Sequence, residues 1–222
     1  MAKSGLKPFY GILVAIALIG GGAIFFSRGA KTGPTTIAPA LSGDTAAMPG
    51  WVLGSETAPI EVDEYADFQC PYCRSFYLVT MPDITERLIQ TGKIRWRFKD
   101  RPLEGHPKTL PAHQAAACAG EQGKFWDMFN QLYVNQTEWV EARNTPKKIR
   151  EYAQKIGLDM AKYDACVDSN RYMARLAAEA RRATERGITS TPSFVVGNTK
   201  IPGTTYDEIK HAVDSLSKNL KS

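Results

Sequence analysis

The sequence has little of what a metal site or a nucleic-acid-binding protein requires. It contains only three histidines and four cysteines, without a second C-x-x-C pair or any H-x3-5-H pair. A four-ligand zinc site therefore lacks ligands at the usual spacing. The histidines His106, His113 and His211 are scattered, and we expect each to be a surface or helix-face residue rather than a ligand or a base. A net charge of only +5 indicates no nucleic-acid partner.

Charged side chains are missing from residues 9–26. At about 1.5 Å per residue this apolar segment forms a helix of roughly 27 Å, close to the hydrocarbon thickness of a bilayer. Arg28 and Lys31 follow directly, which favours an uncleaved transmembrane anchor over residues 1–28, with a cleaved signal peptide as the alternative. Residues 29–50 are rich in Gly, Pro, Thr and Ala and predict a flexible linker.

Two of the four cysteines lie in the motif Cys70-Pro71-Tyr72-Cys73, between a predicted strand and a predicted helix. Pro71 suits a first helical position, because that position needs no N–H donor. Cys70 then lies at the helix N-terminus, where unpaired N–H groups and the helix dipole favour a thiolate. We expect Cys70 to be the exposed, attacking cysteine and Cys73 to be its buried, resolving partner. The motif predicts a redox dithiol in preference to a metal site or two structural thiols.

Residues 51–218 predict an α/β domain. The order strand, helix, strand at its start indicates a βαβ unit with parallel strands, and a helical insertion follows at about residues 105–187. The predicted strands are 60–66, 94–99 and a hairpin of 193–196 with 200–201, and the predicted helices are 71–90 with a kink at Pro82, 110–122, 124–135, 146–156, 159–186 and 206–217.

Five sequence segments, taken in their order along the chain, carry a resemblance to a known family. They are Asp67-Phe68-Gln69-Cys70-Pro71-Tyr72-Cys73, Gln122-Gly123-Lys124-Phe125-Trp126, Gly157-Leu158-Asp159, Gly187-Ile188-Thr189-Ser190-Thr191-Pro192-Ser193-Phe194 and Ile201-Pro202-Gly203. Over these segments the chain resembles the DsbA-like branch of the thioredoxin superfamily, the extracytoplasmic thiol–disulfide oxidoreductases. The resemblance implies a thioredoxin fold with an inserted helical subdomain, here preceded by a transmembrane helix. Cys-Pro-Tyr-Cys is also typical of glutaredoxins, but the predicted insertion is too long for that compact fold.

The resemblance also implies roles for residues outside the dithiol. Thr191 and Pro192 match the cis-proline loop, whose backbone is free to pair with an extended substrate segment, while Pro71 and Tyr72 support the active site. Glu64 matches a buried acid beneath the dithiol that exchanges a proton with the resolving cysteine. Strand alternation places Glu64 on a face with apolar neighbours, and the alternative is a solvated surface charge.

The remaining cysteines are Cys118 and Cys166, in separate predicted helices of the insertion. Many DsbA-like proteins carry a second cross-link, so the resemblance supports a structural disulfide between them. The alternative is that both are small buried thiols.

These features predict a thiol–disulfide oxidoreductase that needs no cofactor. We expect a single-pass protein of a bacterial cytoplasmic membrane with its catalytic domain outside, donating a disulfide to reduced or unfolded secreted proteins. A membrane quinone-linked reoxidase, DsbB-like or VKOR-like, is the expected second partner. The alternatives are a reductase or isomerase kept reduced by an electron donor, and a tethered chaperone without catalytic activity.

Overall fold

A computed structural model of the protein describes residues 35–36, 50–201 and 204–220. The predicted anchor over residues 1–28 and most of the predicted linker lie outside these residues. Within the described ranges, no helix is both long enough and apolar enough to cross a bilayer.

The described residues form a six-stranded sheet in the order β1-β6-β5-β3-β4-β2. Its strands are β1 (Thr35–Thr36), β2 (Trp51–Leu53), β3 (Ile60–Ala66), β4 (Ile94–Asp100), β5 (Ser193–Val196) and β6 (Thr199–Ile201). Strands β3 and β4 are parallel and β5 and β6 form an antiparallel hairpin, which confirms the predicted βαβ unit and hairpin. The sequence reading missed β1 and β2, which are two and three residues long.

One face of the sheet is apolar because side chains alternate along its central strands. In β4, Ile94, Trp96 and Phe98 are buried, while the basic residues between them are half-buried. The register of the parallel pair places Val62 beside Trp96 and Glu64 beside Phe98. Glu64 therefore lies on the apolar face of the sheet.

The predicted helix 71–90 is interrupted near its middle. Helix α1 (Pro71–Val79) ends before Thr80, α2 (Met81–Ile84) follows, and a π-helical turn (Thr85–Ile89) completes the segment. Pro82 has no N–H to donate to the carbonyl four residues earlier, so the break falls at the predicted kink.

The insertion and the C-terminal segment consist of seven helices among the described residues. They are α3 (Thr109–Gly120), α4 (Phe125–Val134), α5 (Gln136–Glu141), α6 (Thr145–Lys155), α7 (Met160–Asp168), α8 (Met173–Glu185) and α9 (Tyr206–Asn219). The prediction of one helix over 159–186 is wrong, because Asn170 has a positive φ of 52° between α7 and α8, a conformation that asparagine tolerates but a helix does not. The short helix α5 was also missed.

The active-site segment packs into the insertion through Phe68. Its ring lies 5.1 Å from the ring of Phe98 in β4, 5.6 Å from Phe129 and 5.2 Å from Tyr133 in α4, measured between centroids. All four side chains are buried, and such aromatic contacts add to the free energy of burial. The segment before the dithiol is thus part of the core between sheet and insertion.

Cys118 and Cys166 form a disulfide in the structure. The bond joins α3 to α7, with Cα atoms 5.8 Å apart, and both residues are fully buried. It therefore cross-links two helices of the insertion.

Replacing both of these cysteines, Cys118→Ala with Cys166→Ala, should lower the melting temperature by several degrees. The bond spans a sequence separation of 48, and a loop of that length restricts the unfolded chain by about 4 kcal/mol in the entropy model. Thermal denaturation followed by circular dichroism measures the change. Disulfide exchange should persist wherever the double variant is folded, because the bond contributes no atom to the Cys70–Cys73 dithiol. Equal melting temperatures would contradict a structural role.

Candidate active site

The dithiol lies at the start of α1. Cys70 is the N-cap residue with an extended backbone, Pro71 occupies the first helical position, and both Cys70 and Cys73 are free thiols. Cys73 is fully buried, but Cys70 is also only 3% exposed. The expectation of an exposed Cys70 is therefore wrong for the free protein. The loop at Thr191 contributes to this burial, because its carbonyl oxygen lies 3.4 Å from Cys70 Sγ.

The pKa of Cys70 is lowered to about 6. The largest cause is the hydrogen bond between its sulfur and the Cys73 side chain; burial opposes it, and the Thr191 side chain and the backbone N–H groups of Cys73 and Tyr72 lower the pKa further. The sequence predicts a lowered pKa of Cys70 from the helix N-terminus. In the structure the neighbouring Cys73 thiol lowers this pKa more than the backbone N–H groups do. Cys70 should therefore be largely a thiolate at neutral pH.

The pKa of Cys73 is shifted in the opposite direction. Burial raises it well above the usual value for a thiol, and the hydrogen bond and negative charge of Cys70 raise it further. A thiolate at Cys73 would place a second negative charge in a buried site beside the first. The two sulfurs are thus distinct, one ionised and one protonated near neutral pH.

The peptide bond between Thr191 and Pro192 is cis. It lies directly before β5, and beside it is a shallow, open cleft of about 270 Å³. The cleft is lined by Tyr72, Ser75, Phe76, Val79, Thr80, Thr191, Pro192 and Thr204. Tyr72, which lies between the two cysteines in sequence, is 74% exposed, so its side chain is accessible at this cleft.

Glu64 is buried on the apolar face of the sheet, which excludes the alternative of a solvated surface charge. Burial raises its pKa to about 7, and a hydrogen bond from Trp96 Nε1, 2.8 Å from Glu64 Oε2, acts in the opposite direction. The charge of Glu64 also contributes to the raised pKa of Cys73. A carboxyl group that titrates near neutrality and interacts with Cys73 has the properties of a proton donor and acceptor.

A second buried carboxyl group, Asp67, holds the segment before the dithiol. Its oxygens accept hydrogen bonds from Gln69 N at 2.7 Å, Leu103 N at 2.8 Å and Thr109 Oγ1 at 2.5 Å. His106 Nδ1 lies 2.9 Å from Asp67 Oδ2. The sequence does not predict this role for Asp67, because three of its partners lie more than thirty residues away. The only local signal is an aspartate two residues before a backbone N–H that it can accept.

His113, expected at a surface or on a helix face, lies on a buried face of α3. It is fully buried in α3, its Nδ1 lies 2.6 Å from Asp100 Oδ1, and its ring lies 4.8 Å from the ring of Phe68. The burial follows from the contacts of the ring with Phe68 and with Phe98 and Asp100 of β4. Among the residues that the structure describes, no group of three or more His, Cys, Asp or Glu side chains is placed to hold a metal ion.

Known proteins resemble this chain in sequence and in fold. A family model described as Thioredoxin matches residues 47–215. The probable disulfide bond formation protein D of Bacillus anthracis is 29% identical over 175 residues, which cover 76% of this chain and 77% of that protein. Oxidised BdbD from Bacillus subtilis has a TM-score of 0.70 at 23% identity, covering 85% of this chain and 98% of that one. The last similarity shows a shared fold.

A further relative is the Na+/H+ antiporter NhaA 3 of Salinispora tropica. It is 32% identical over 153 residues, which are 68% of this chain but only 22% of the antiporter. The chain thus spans about a fifth of that relative's length.

Alkylation of the reduced protein should label Cys70 before Cys73. Because the thiolate is the nucleophile, the rate at Cys70 should rise with pH through about 6 and then level off. Quenched iodoacetamide reactions analysed by mass spectrometry measure both rates, with Cys73→Ser and Cys70→Ser variants isolating each sulfur. In exchange reactions Cys73→Ser should accumulate mixed disulfides and Cys70→Ser should be inactive. Faster labelling of Cys73 would reverse the assigned roles.

Replacement of Glu64 by glutamine should leave the fold intact and slow turnover. Glu64 loses its proton as pH rises through about 7, so in reoxidation of the reduced enzyme, where Cys73 must lose its proton, a base acting on Cys73 becomes available only above that pH. The variant should therefore lose an increase in rate near pH 7 that the wild type shows. Glu61→Gln is the matched control on the same strand, because Glu61 is bonded to Arg95 and Arg97 instead, and it should keep that increase. An unchanged pH–rate profile for Glu64→Gln would exclude a proton-transfer role.

Proposed function

We propose a direction and a place of action for this chain, which belongs to the thioredoxin family and is a DsbA-like thiol–disulfide oxidoreductase. It donates a disulfide between Cys70 and Cys73 to folding proteins outside the cytoplasm and leaves each reaction as a dithiol. The disulfide itself carries the oxidising equivalents, so the exchange requires no cofactor.

The observation that carries this proposal is the opposite displacement of the two thiol pKa values. The pKa of Cys70 is lowered to about 6, whereas that of Cys73 is raised. A stabilised thiolate at Cys70 favours the reduced enzyme over its disulfide form. Electrons therefore pass preferentially from a substrate dithiol to the enzyme, which is the direction of disulfide donation.

The reaction proceeds by two thiolate attacks. A substrate thiolate attacks Cys70 Sγ, the enzyme S–S bond breaks, and Cys73 leaves with the electron pair and takes up a proton, for which Glu64 is the nearby acid. A second substrate thiolate then attacks the substrate sulfur of the mixed disulfide. Cys70 leaves as a thiolate, and its low pKa makes it a good leaving group. The substrate gains a disulfide, and the two electrons remain with the enzyme.

A reductase or isomerase would use the same sulfurs with the electrons moving in the other direction, and it remains the second candidate. The name of the Bacillus anthracis relative, a probable disulfide bond formation protein, favours donation. A chaperone without catalytic activity would have no need for two thiols with opposite pKa shifts, which makes it the weakest alternative.

The proposed place of action is the outer side of a bacterial cytoplasmic membrane. The uncharged residues 9–26 support an anchor, and the buried Cys118–Cys166 disulfide suits an oxidising compartment. The partners there are reduced or unfolded secreted proteins as substrates. A quinone-linked membrane enzyme, DsbB-like or VKOR-like, restores the Cys70–Cys73 disulfide.

Thiol trapping in intact cells tests the direction. Acid-quenched cells are treated with a maleimide that adds mass to free thiols, and we expect Cys70 and Cys73 to be found mostly unmodified, hence oxidised. A Cys118→Ala/Cys166→Ala background leaves only the active pair to count. Mostly modified Cys70 and Cys73 would support the reductase or isomerase instead.

A reporter fused after Ser222 and expressed in intact cells tests where the protein is located. The reporter should be active outside the cytoplasm and should fractionate with membranes. A soluble product that starts near Ala40 would show that the N-terminal segment is a cleaved signal peptide.

A further inference from the structure

The side chain of Gln136 contacts two backbone carbonyl groups of the active-site segment, those of Phe68 and Cys70. Its Nε2 donates a hydrogen bond to Phe68 O at 2.7 Å and to Cys70 O at 3.0 Å. Gln136 is 5% exposed, so both bonds are screened from water. One buried amide thus bridges the residue that anchors the segment in the core and the residue that reacts.

Gln136 is held in place by its own helix. It is the first residue of α5, where the fully buried Trp139 donates from Nε1 to Leu132 O at 2.7 Å. Thr145 Oγ1 in turn donates to Trp139 O at 3.0 Å. The amide therefore projects from a helix that has anchoring contacts of its own.

The hydrogen bond from Gln136 to Cys70 O restrains the backbone at the start of α1. That carbonyl already accepts from Arg74 N at 3.2 Å, and Cys70 N donates to Asp67 O at 3.1 Å. A second donor on the carbonyl fixes the peptide unit that leads into Pro71. The N–H groups of Tyr72 and Cys73, which help to lower the Cys70 pKa, depend on the orientation of that same turn.

We propose that Gln136 is a positioning residue for disulfide exchange, holding the Phe68 and Cys70 carbonyls so that the first turn of α1 stays directed at Cys70 Sγ. This inference rests on the proposed function, because it concerns the same reacting sulfur. Gln136 touches neither sulfur nor substrate in this arrangement, and it acts through the backbone. Through this contact the helical insertion influences a reaction that takes place beyond the carboxyl end of strand β3.

Gln136→Met tests the proposal, because methionine has a similar length and no donor. The loss of one or two buried hydrogen bonds should slow mixed-disulfide formation with oxidised glutathione at neutral pH by about threefold to tenfold. The ultraviolet absorbance of the Cys70 thiolate should titrate at higher pH than in the wild type. Gln154→Met is the matched control, since Gln154 is exposed on α6, and it should leave both measurements unchanged.

Gln136→Glu provides a second variant in case the methionine variant folds poorly. A protonated carboxyl group can still donate one hydrogen bond, whereas an ionised one faces two carbonyl oxygens that repel it. Its exchange rate relative to the wild type should therefore be highest at acid pH and fall as pH rises.

Three outcomes separate the two proposals. A wild-type protein that forms no mixed disulfide through Cys70 would overturn the proposed function. A wild-type protein that exchanges normally, with a thiolate titration unchanged in Gln136→Met and no pH-dependent loss in Gln136→Glu, would overturn the positioning role alone. A lowered melting temperature with an unchanged thiolate titration would likewise assign Gln136 to stability and overturn the proposal.

Discussion

The electrostatic coupling of the two active thiols is the interaction on which the site depends. The hydrogen bond between them is the largest single cause of the lowered pKa of Cys70, and it requires that Cys73 stay protonated. Burial meets that requirement, because it raises the pKa of Cys73. Burying one sulfur therefore activates the other, and Pro71 at the first helical position sets the two one helical turn apart.

The helical insertion holds this arrangement from outside the sheet. Asp67 is contacted by three residues that lie before or at the start of α3, namely Leu103, His106 and Thr109. Gln136 at the start of α5 contacts the carbonyls of Phe68 and Cys70. The segment before the dithiol has no ladder of strand or helix bonds of its own, so its polar groups need such partners once buried. The insertion thus determines the geometry of a site whose sulfurs it does not supply.

The sequence predicted those parts of the structure that rest on local patterns. Alternation along β3 and β4, the proline at the start of α1, and the C-x-x-C spacing each depend on neighbours within a few residues, and the structure contains all of them. Part of the burial of Cys70, by contrast, comes from Thr191, 121 residues away. Three of the partners of Asp67 and both partners of Gln136 also lie more than thirty residues away. A helix as short as α5 has too few residues to show a periodic pattern.

The two buried carboxyl groups near the dithiol are placed in different surroundings, which suit them to different tasks. Asp67 has three donors at 2.8 Å or less and His106 beside it, so hydrogen bonds replace the water that a carboxylate loses on burial. Among the residues that the structure describes, Glu64 accepts from one donor, Trp96 Nε1, and burial raises the pKa of Glu64 to about 7. Asp67 keeps a backbone segment in place through its donors, whereas burial lets Glu64 gain and lose its proton near neutral pH. The surroundings of Glu64 thus suit the proposed proton transfer to and from Cys73, while the segment fixed by Asp67 keeps Cys70 at the start of α1.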